Sequence, residues 1–355
     1  MILPGQMLRS AALLAVALVA AGCGSSKAAG PGPVKHYLVY EKLVGEKGVW
    51  IADADGSNPR LLVPEGHSPV ISPDGKWVAY VGGCDSEDAC SETVVSSTSG
   101  GKPRSVAPSI THAQWSPDSE RIVGARGPTP WDEKLVSIDL ESGKETTLAE
   151  GYLWRWSFSP DGKQIVYGRA PPIPEDTGEG QGDLFVVDRD GGDARQITDS
   201  DRDGYPVWGP DSIAFGRLVP DGGWGWNEIW SVQPDGSGLK PLTVPLPKEF
   251  RGDGYSGLAP VGWSDDGRAL LAGWLNSFGS MPVAVDPETG EARMLDESET
   301  IHTAAISHDG RFALAYTYPP VGTPDEENAT VLIAPYGGGK PTVVARGAGS
   351  PSWNR

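Results

Sequence analysis

The 355 residues carry 29 Lys plus Arg against 47 Asp plus Glu, a formal net charge of −18 at pH 7. Nothing basic is clustered enough to neutralise a phosphate backbone, so nucleic acid is excluded as a partner. The 48 Gly and 32 Pro supply many turns and oppose long helices, while 13 Trp argue for a packed core rather than disorder.

The chain opens on a targeting segment. Arg9 supplies a positive start, and residues 11–21 form an apolar stretch too short for a bilayer, which needs roughly 20 residues. Ala20-Ala21-Gly22-Cys23 follows. It resembles the lipobox of bacterial lipoproteins, with Ala20 where that motif usually has Leu. The resemblance implies that residues 1–22 are a lipoprotein signal peptide and that Cys23 is acylated as the mature first residue. The protein would then be extracytoplasmic, lipid-anchored to the cell membrane or outer envelope. An ordinary secretory signal is the other reading. Residues 23–35, rich in Gly, Ser, Ala and Pro, read as a flexible tether, which leaves 36–355 for the folded domain.

Three β-type runs come next, around residues 38–41, 49–52 and 60–63, with an Asp53-Ala54-Asp55-Gly56 turn before the last. From there one turn recurs. Its copies are Ser72-Pro73-Asp74-Gly75, Ser116-Pro117-Asp118-Ser119, Ser159-Pro160-Asp161-Gly162, Gly209-Pro210-Asp211-Ser212, Ser264-Asp265-Asp266-Gly267 and Ser307-His308-Asp309-Gly310. The aspartates are 44, 43, 50, 55 and 43 residues apart, and an apolar residue precedes each turn: Ile71, Trp115, Phe158, Trp208, Trp263 and Ile306. Pro presets φ and Gly accepts the left-handed position of a short hairpin. The recurrent Asp reads as a cap on backbone N–H groups.

The clearest copy, 156–198, holds four short runs: up to Phe158, then 164–169, 184–188 and 194–198. Such a four-stranded antiparallel unit cannot bury its own faces, and a period of this length is that of a propeller blade. The two chain ends complement each other. Residues 36–64 hold three strands without an opening turn, whereas Ser350-Pro351-Ser352-Trp353 reads as an opening strand with nothing after it. The expected fold is therefore all-β, a seven-bladed β-propeller of four-stranded antiparallel blades. The C-terminal strand would join the three N-terminal strands and close the ring, removing the edge strands.

These repeats resemble the WD40-like repeats of TolB-type β-propellers over nearly all of residues 36–355. The resemblance implies the fold and little about activity, since this fold hosts binders, peptidase gates, lyases and sialidases.

In such a propeller the Asp/Gly turns share one face. Loops of varied length at 82–91, 127–133, 170–182, 218–227, 244–262 and 318–328 share the other, where function is expected. Cys84 and Cys90 bracket the first of these loops. In an exported chain a disulfide is expected there, with a metal or redox pair as the rival. Counting four or five residues back from each turn places His67, His112, Trp154, Tyr205 and His302 at the central mouth. Imidazoles and aromatics there can bind a metal or stack a sugar, or form only a polar rim. The strand between His302 and His67 offers Gly349 at that place, and no matching carboxylate is expected in the gap. Asp199-Ser200-Asp201-Arg202-Asp203-Gly204 reads as the front half of a calcium loop. Pro210 stands where an EF-hand needs Glu, so only a looser Ca²⁺ site on Asp199, Asp201 and Asp203 stays open beside an acidic turn with no cofactor.

No Gly-x-Ser-x-Gly occurs, which argues against a hydrolase nucleophile elbow. The turn also lacks the residue that a sialidase Asp box has between Asp and Gly. The expected function is a monomeric module that binds an envelope protein, peptide or glycan at the loop-rich face. The alternative is a metal-dependent, carbohydrate-active enzyme of the oligogalacturonate-lyase type, with its site at the mouth.

Overall fold

Each Ser-x-Asp turn closes through its own side chains, and that closure sets where the strands begin. In the first copy Ser72 Oγ donates to Asp74 Oδ1 at 2.7 Å. Asp74 Oδ1 accepts Lys76 N at 3.0 Å, and Ser72 Oγ accepts Trp77 N at 3.0 Å. The same three bonds recur at Ser116/Asp118, Ser159/Asp161, Ser264/Asp266 and Ser307/Asp309. The expected capping role of the aspartates therefore holds in these copies. The turn at Asp211 is closed by backbone instead, Gly209 N donating to Ser212 O at 2.8 Å. The fourth residue is left-handed in each Gly copy, as at Gly75 with φ of 71°, a conformation Gly adopts without steric cost.

The computed structural model describes residues 35–84, 90–129, 132–170, 182–220, 226–243, 256–276, 279–296, 301–317 and 326–354. The signal segment, Cys23 and the tether as far as residue 34 lie outside them. In chain order the strands begin with β1 (Tyr37–Lys42), β2 (Gly48–Asp53) and β3 (Arg60–Val63). Next, β4 (His67–Ile71), β5 (Trp77–Cys84), β6 (Cys90–Ser97) and β7 (Arg104–Pro108) form a four-stranded antiparallel sheet in that order. Then β8 (Thr111–Trp115), β9 (Arg121–Thr129) and β10 (Asp132–Asp139) pair in succession with the first half of a long β11 (Glu145–Phe158). The second half of β11 opens the following meander, with β12 (Gln164–Ala170), β13 (Asp183–Asp188) and β14 (Arg195–Gln196).

The pattern continues through β15 (Asp203–Trp208), β16 (Ile213–Val219), β17 (Trp226–Val232) and β18 (Lys240–Pro241). It repeats in β19 (Ser256–Trp263), β20 (Leu270–Asn276), β21 (Gly279–Val285) and β22 (Ala292–Met294). A further copy is β23 (Ile301–Ile306), β24 (Phe312–Thr317), β25 (Thr330–Pro335) and β26 (Thr342–Arg346). The last strand, β27 (Ala348–Trp353), starts no sheet of its own. It pairs antiparallel with β1, Leu38 opposite Trp353 and Lys42 opposite Ala348, in the order β27-β1-β2-β3. Among the described residues there is no α-helix, only a 3-10 turn at Glu326–Asn328.

Strand alternation explains why the middle strands are apolar on both faces. Val39 packs with Ile71, Val78 and Tyr80 of the sheet that follows. Its neighbours Leu38 and Tyr40 turn the other way and pack with Leu314 and Val331. Ala79 likewise turns from that first cluster to join Trp115, Ile122 and Val136. The β27-β1-β2-β3 sheet and the β4–β7 sheet are thus each packed on both faces, and the outermost strands, such as β14 and β18, are exposed.

Candidate functional site

The first strand of each meander packs against the first strand of the next: β27 on β4, β4 on β8, β11 on β15, β15 on β19, β19 on β23 and β23 on β27. Between β8 and β11, Gln114 Nε2 donates to Trp156 O at 2.8 Å. These inner strands share a second feature. Each ladder slips by a bulge near its start, between His67 and Val70, Thr111 and Gln114, Trp154 and Trp156, Gly204 and Val207, Pro260 and Gly262, and Thr303 and Ala305. Ser68, His112, Arg155 and Tyr205, at four of these bulges, have positive φ, as has Ser350 where β27 slips against β1, all from 34° to 55°. Left-handed backbone in residues other than Gly costs roughly 1–3 kcal/mol each and persists only where the surroundings enforce it.

The bulge divides the expected mouth residues into two sets. His67, Trp154 and His302 precede it, whereas His112 and Tyr205 sit on it, with Ser68, Arg155 and Ser350 as their counterparts. Counting strictly four residues back from each turn finds this second set, and mixing four with five hides it.

A residue absent from the sequence reading holds one member of the first set, His67. Glu41, on β1 directly opposite Gly349, is 9% exposed. His67 Nδ1 lies 2.7 Å from Glu41 Oε1, and Ser68 N donates to Glu41 Oε2 at 3.2 Å. The gap expected beside Gly349 is therefore filled by a carboxylate, and that expectation is corrected. The signal was hidden because Glu41 belongs to another strand and reaches the site only through the β1–β27 register.

His302 stacks on its cross-strand partner Tyr316, with centroids 5.2 Å apart. His112 presents its ring to Trp156 edge-on at 6.1 Å. Burial lowers the pKa of His302. His112 has solvent-exposed area, but crowding by neighbouring atoms lowers its pKa too, with the Arg155 charge adding to the effect. Both imidazoles are thus neutral at pH 7. Tyr205 is half-buried. Trp154 is paired with Gly168 through its backbone, and its side chain lies outside the described residues.

The Asp-rich run is organised around two other groups. Asp203 is fully buried, and its carboxylate takes a bidentate pair from Arg217, Nε at 2.6 Å and Nη2 at 2.8 Å. The guanidinium lies over the Trp230 ring at 4.7 Å. Asp201 N donates to Asp183 Oδ1 at 3.1 Å, and Gln196 Nε2 donates to Asp183 Oδ2 at 3.0 Å. Burial pushes the Asp183 carboxyl up, and the charges of Asp201 and Asp203 raise it further. The side chains of Asp199 and Asp201 are exposed. Among the described residues, no group of three or more His, Cys, Asp or Glu is gathered to hold a metal ion. Cys84 and Cys90 face each other across the β5–β6 ladder, with their side chains outside the described residues. Most of the varied loops, at 85–89, 130–131, 171–181, 221–225, 244–255 and 318–325, also lie outside them.

No protein-family model matches the sequence, and no curated protein matches it. The fold is nonetheless that of solved β-propellers. TolB from Acinetobacter baumannii superposes with a TM-score of 0.53 at 16% identity, over 89% of this chain and 82% of that one. The β-propeller domain of the trilobed protease from Pyrococcus furiosus, which has an open velcro topology, gives 0.60 at 12% identity, over 87% and 91%. An oligogalacturonate lyase in complex with manganese gives 0.56 at 16% identity, over 87% and 83%. At these identities the likeness reaches the fold and stops there. It is a TolB-like propeller fold, as the repeats imply.

Proposed function

We propose that this chain is an exported, lipid-anchored, seven-bladed propeller that binds an envelope protein, peptide or glycan at the mouth of its inner strands. The observation that carries the reading is the repeated bulge. It holds Ser68, His112, Arg155, Tyr205 and Ser350 in left-handed backbone at the same end of successive inner strands, and such strain gathers at functional sites. The side chains carried there and beside it are suited to recognition: neutral imidazoles, a tyrosine and a guanidinium. Seven blades and a closed ring are supported by the β27–β1 pairing and by the packing of β27 against both β4 and β23. Anchoring and export rest on residues 1–23. A Cys84–Cys90 bridge is supported by their direct cross-strand pairing, since opposed antiparallel residues lie at a separation a disulfide can span. Peptide mass mapping without reductant checks both points: an acylated Cys23 and a linked Cys84/Cys90 peptide pair are expected.

The binding test is a screen of peptide and glycan arrays with the mature protein, followed by calorimetry on the best ligand. Tyr205→Ala and Trp154→Ala are each expected to weaken it by about tenfold, equivalent to about 1.4 kcal/mol, with His67→Ala weaker in effect. The lyase-type alternative is the other outcome. Stoichiometric manganese in purified protein, lost in His67→Ala and His302→Ala, would replace binding with catalysis at the mouth.

A further inference from the structure

The inner strands end, at the turn face, on residues buried against the preceding sheet. Trp115, Trp208 and Trp263 are 7%, 9% and 7% exposed. The indole N–H groups of Trp115 and Trp263 donate to Val70 O at 2.9 Å and Val207 O at 3.3 Å. Trp353 makes the corresponding reach, to Ile306 O at 3.2 Å, yet it stays only half-buried. The difference is a cavity of about 420 Å³ beside it, a volume in the range that holds small ligands. It lies at the far end of the inner strands from the mouth, between the β23–β26 meander and the sheet that β27 shares with β1.

Its walls are Phe312, Ile333 and Val344 on one side and Trp353 on the other. Its rim carries Asp55, Asp309 and the imidazoles of His36 and His308, which stack with centroids 5.2 Å apart and planes 16° apart. None of the lining residues is Lys or Arg. Hydrogen bonds from Ser57 hold the Asp55 carboxyl below its ordinary range. For Asp309 burial pulls upward, but bonds from Ser307 and Arg311 N prevail and lower it. The Arg311 side chain is 74% exposed and approaches Asp309 only to 4.0 Å, a contact that solvent screens. Both carboxylates are therefore ionised above a floor of aromatic and aliphatic carbon.

We propose that this cleft is a second binding site, selective for a small organic cation with a flat apolar body, an aromatic amine. Ring carbon packs between Phe312 and Trp353, and the ammonium sits among the rim carboxylates, with the indole face adding a cation–π contribution. The site is independent of the mouth and uses none of its residues.

The test titrates the full chain with phenethylamine, 2-phenylethanol and 3-phenylpropionate, read by saturation-transfer NMR. Saturable binding is expected for the amine, binding about fivefold weaker or less for the alcohol, and none for the acid. Asp55→Asn and Asp309→Asn keep the Oδ1 acceptor that closes each turn, and each should weaken the amine by about threefold to fivefold. Thr342→Lys places a cation on the exposed rim without removing a buried contact, and should abolish amine binding while admitting the acid. Equal binding of amine and acid, no saturable binding of any probe, or amine binding unchanged in Thr342→Lys would overturn the proposal.

Discussion

Gly209 stands where the other complete turns have Ser, and its neighbour explains why. A Cβ placed there would meet the Trp263 indole at 2.9 Å, so this turn gives up its hydroxyl to let the next inner strand pack closely. Gly209→Ser is therefore expected to destabilise the fold by about 1–3 kcal/mol through overpacking, although it restores the motif on paper. Ser159→Ala does the reverse experiment in an unobstructed copy. It leaves Gln164 N without its acceptor and Asp161 without its hydroxyl donor, the Lys163 N–H remaining, a loss of about 1–2 kcal/mol. Denaturant melts of the two variants check both values. The capping carboxyls also set the acid limit. Asp161 and Asp266 are held below the ordinary range first by their Ser hydroxyls. At Asp74, Asp118 and Asp309 burial opposes the shift, and the turn's hydrogen bonds outweigh it. A depressed carboxyl stabilises the fold above its unfolded pKa, about 3.9, and that stability is lost as pH falls through the folded value. The melting temperature should thus be level above about pH 5 and fall below about pH 4, less steeply in Asp161→Asn. These aspartates were legible from sequence because the Ser hydroxyl and backbone N–H that hold each one lie within two residues of it; Arg189, which also reaches Asp118, was not. Nor was Glu41, since only the ladder brings it to His67.

Strand beginnings were legible for the same reason: the turn fixes them, so β5, β12 and β24 start where the motif ends. The outer strands left little trace. β14 and β18 are two residues each and exposed, so no apolar alternation marks them. The continuity of β11 was also hidden, because its two halves belong to two different meanders. The inner-strand bulge was the largest omission. Left-handed backbone is usually read from Gly or Asn, and here it falls on Ser, His, Arg and Tyr. At Ser68, with φ of 51° and an exposed side chain, the conformation can be separated from packing. Ser68→Gly is expected to be neutral or stabilising by up to about 1 kcal/mol, and Ser68→Val to cost about 1–2 kcal/mol. Equal melting of both variants would mean that the bulge carries no strain.

For the molecule as a whole, repeat counting found the all-β propeller fold and the pairing of the two ends, since Trp353 follows Ile306 by 47 residues, close to the common spacing. What counting cannot reach is the quality of each interface, which depends on side chains from sheets far apart in sequence. Deleting residues 348–355 removes β27 and uncovers Leu38 and Tyr40, now 0% and 4% exposed, along with a bare strand edge. A large fall in melting temperature with aggregation is expected by calorimetry, and a variant that melts like the parent would show that the shared strand is dispensable. The same pairing decides how the protein bears tension. Leu38 opposes Trp353, so Lys35 and Asn354 leave one end of the sheet side by side, joined by Asn354 Oδ1 accepting Tyr37 N at 2.6 Å and Nδ2 donating to Lys35 O at 3.0 Å. Force applied between those two residues opens the ladder one rung at a time, as a zipper parts. Force entering at Lys35 and resisted at the opposite face runs along β1 instead. It is then shared by all the rungs to β27 and β2 at once, so a chain pulled from its N-terminal side alone meets the direction in which the sheet resists most.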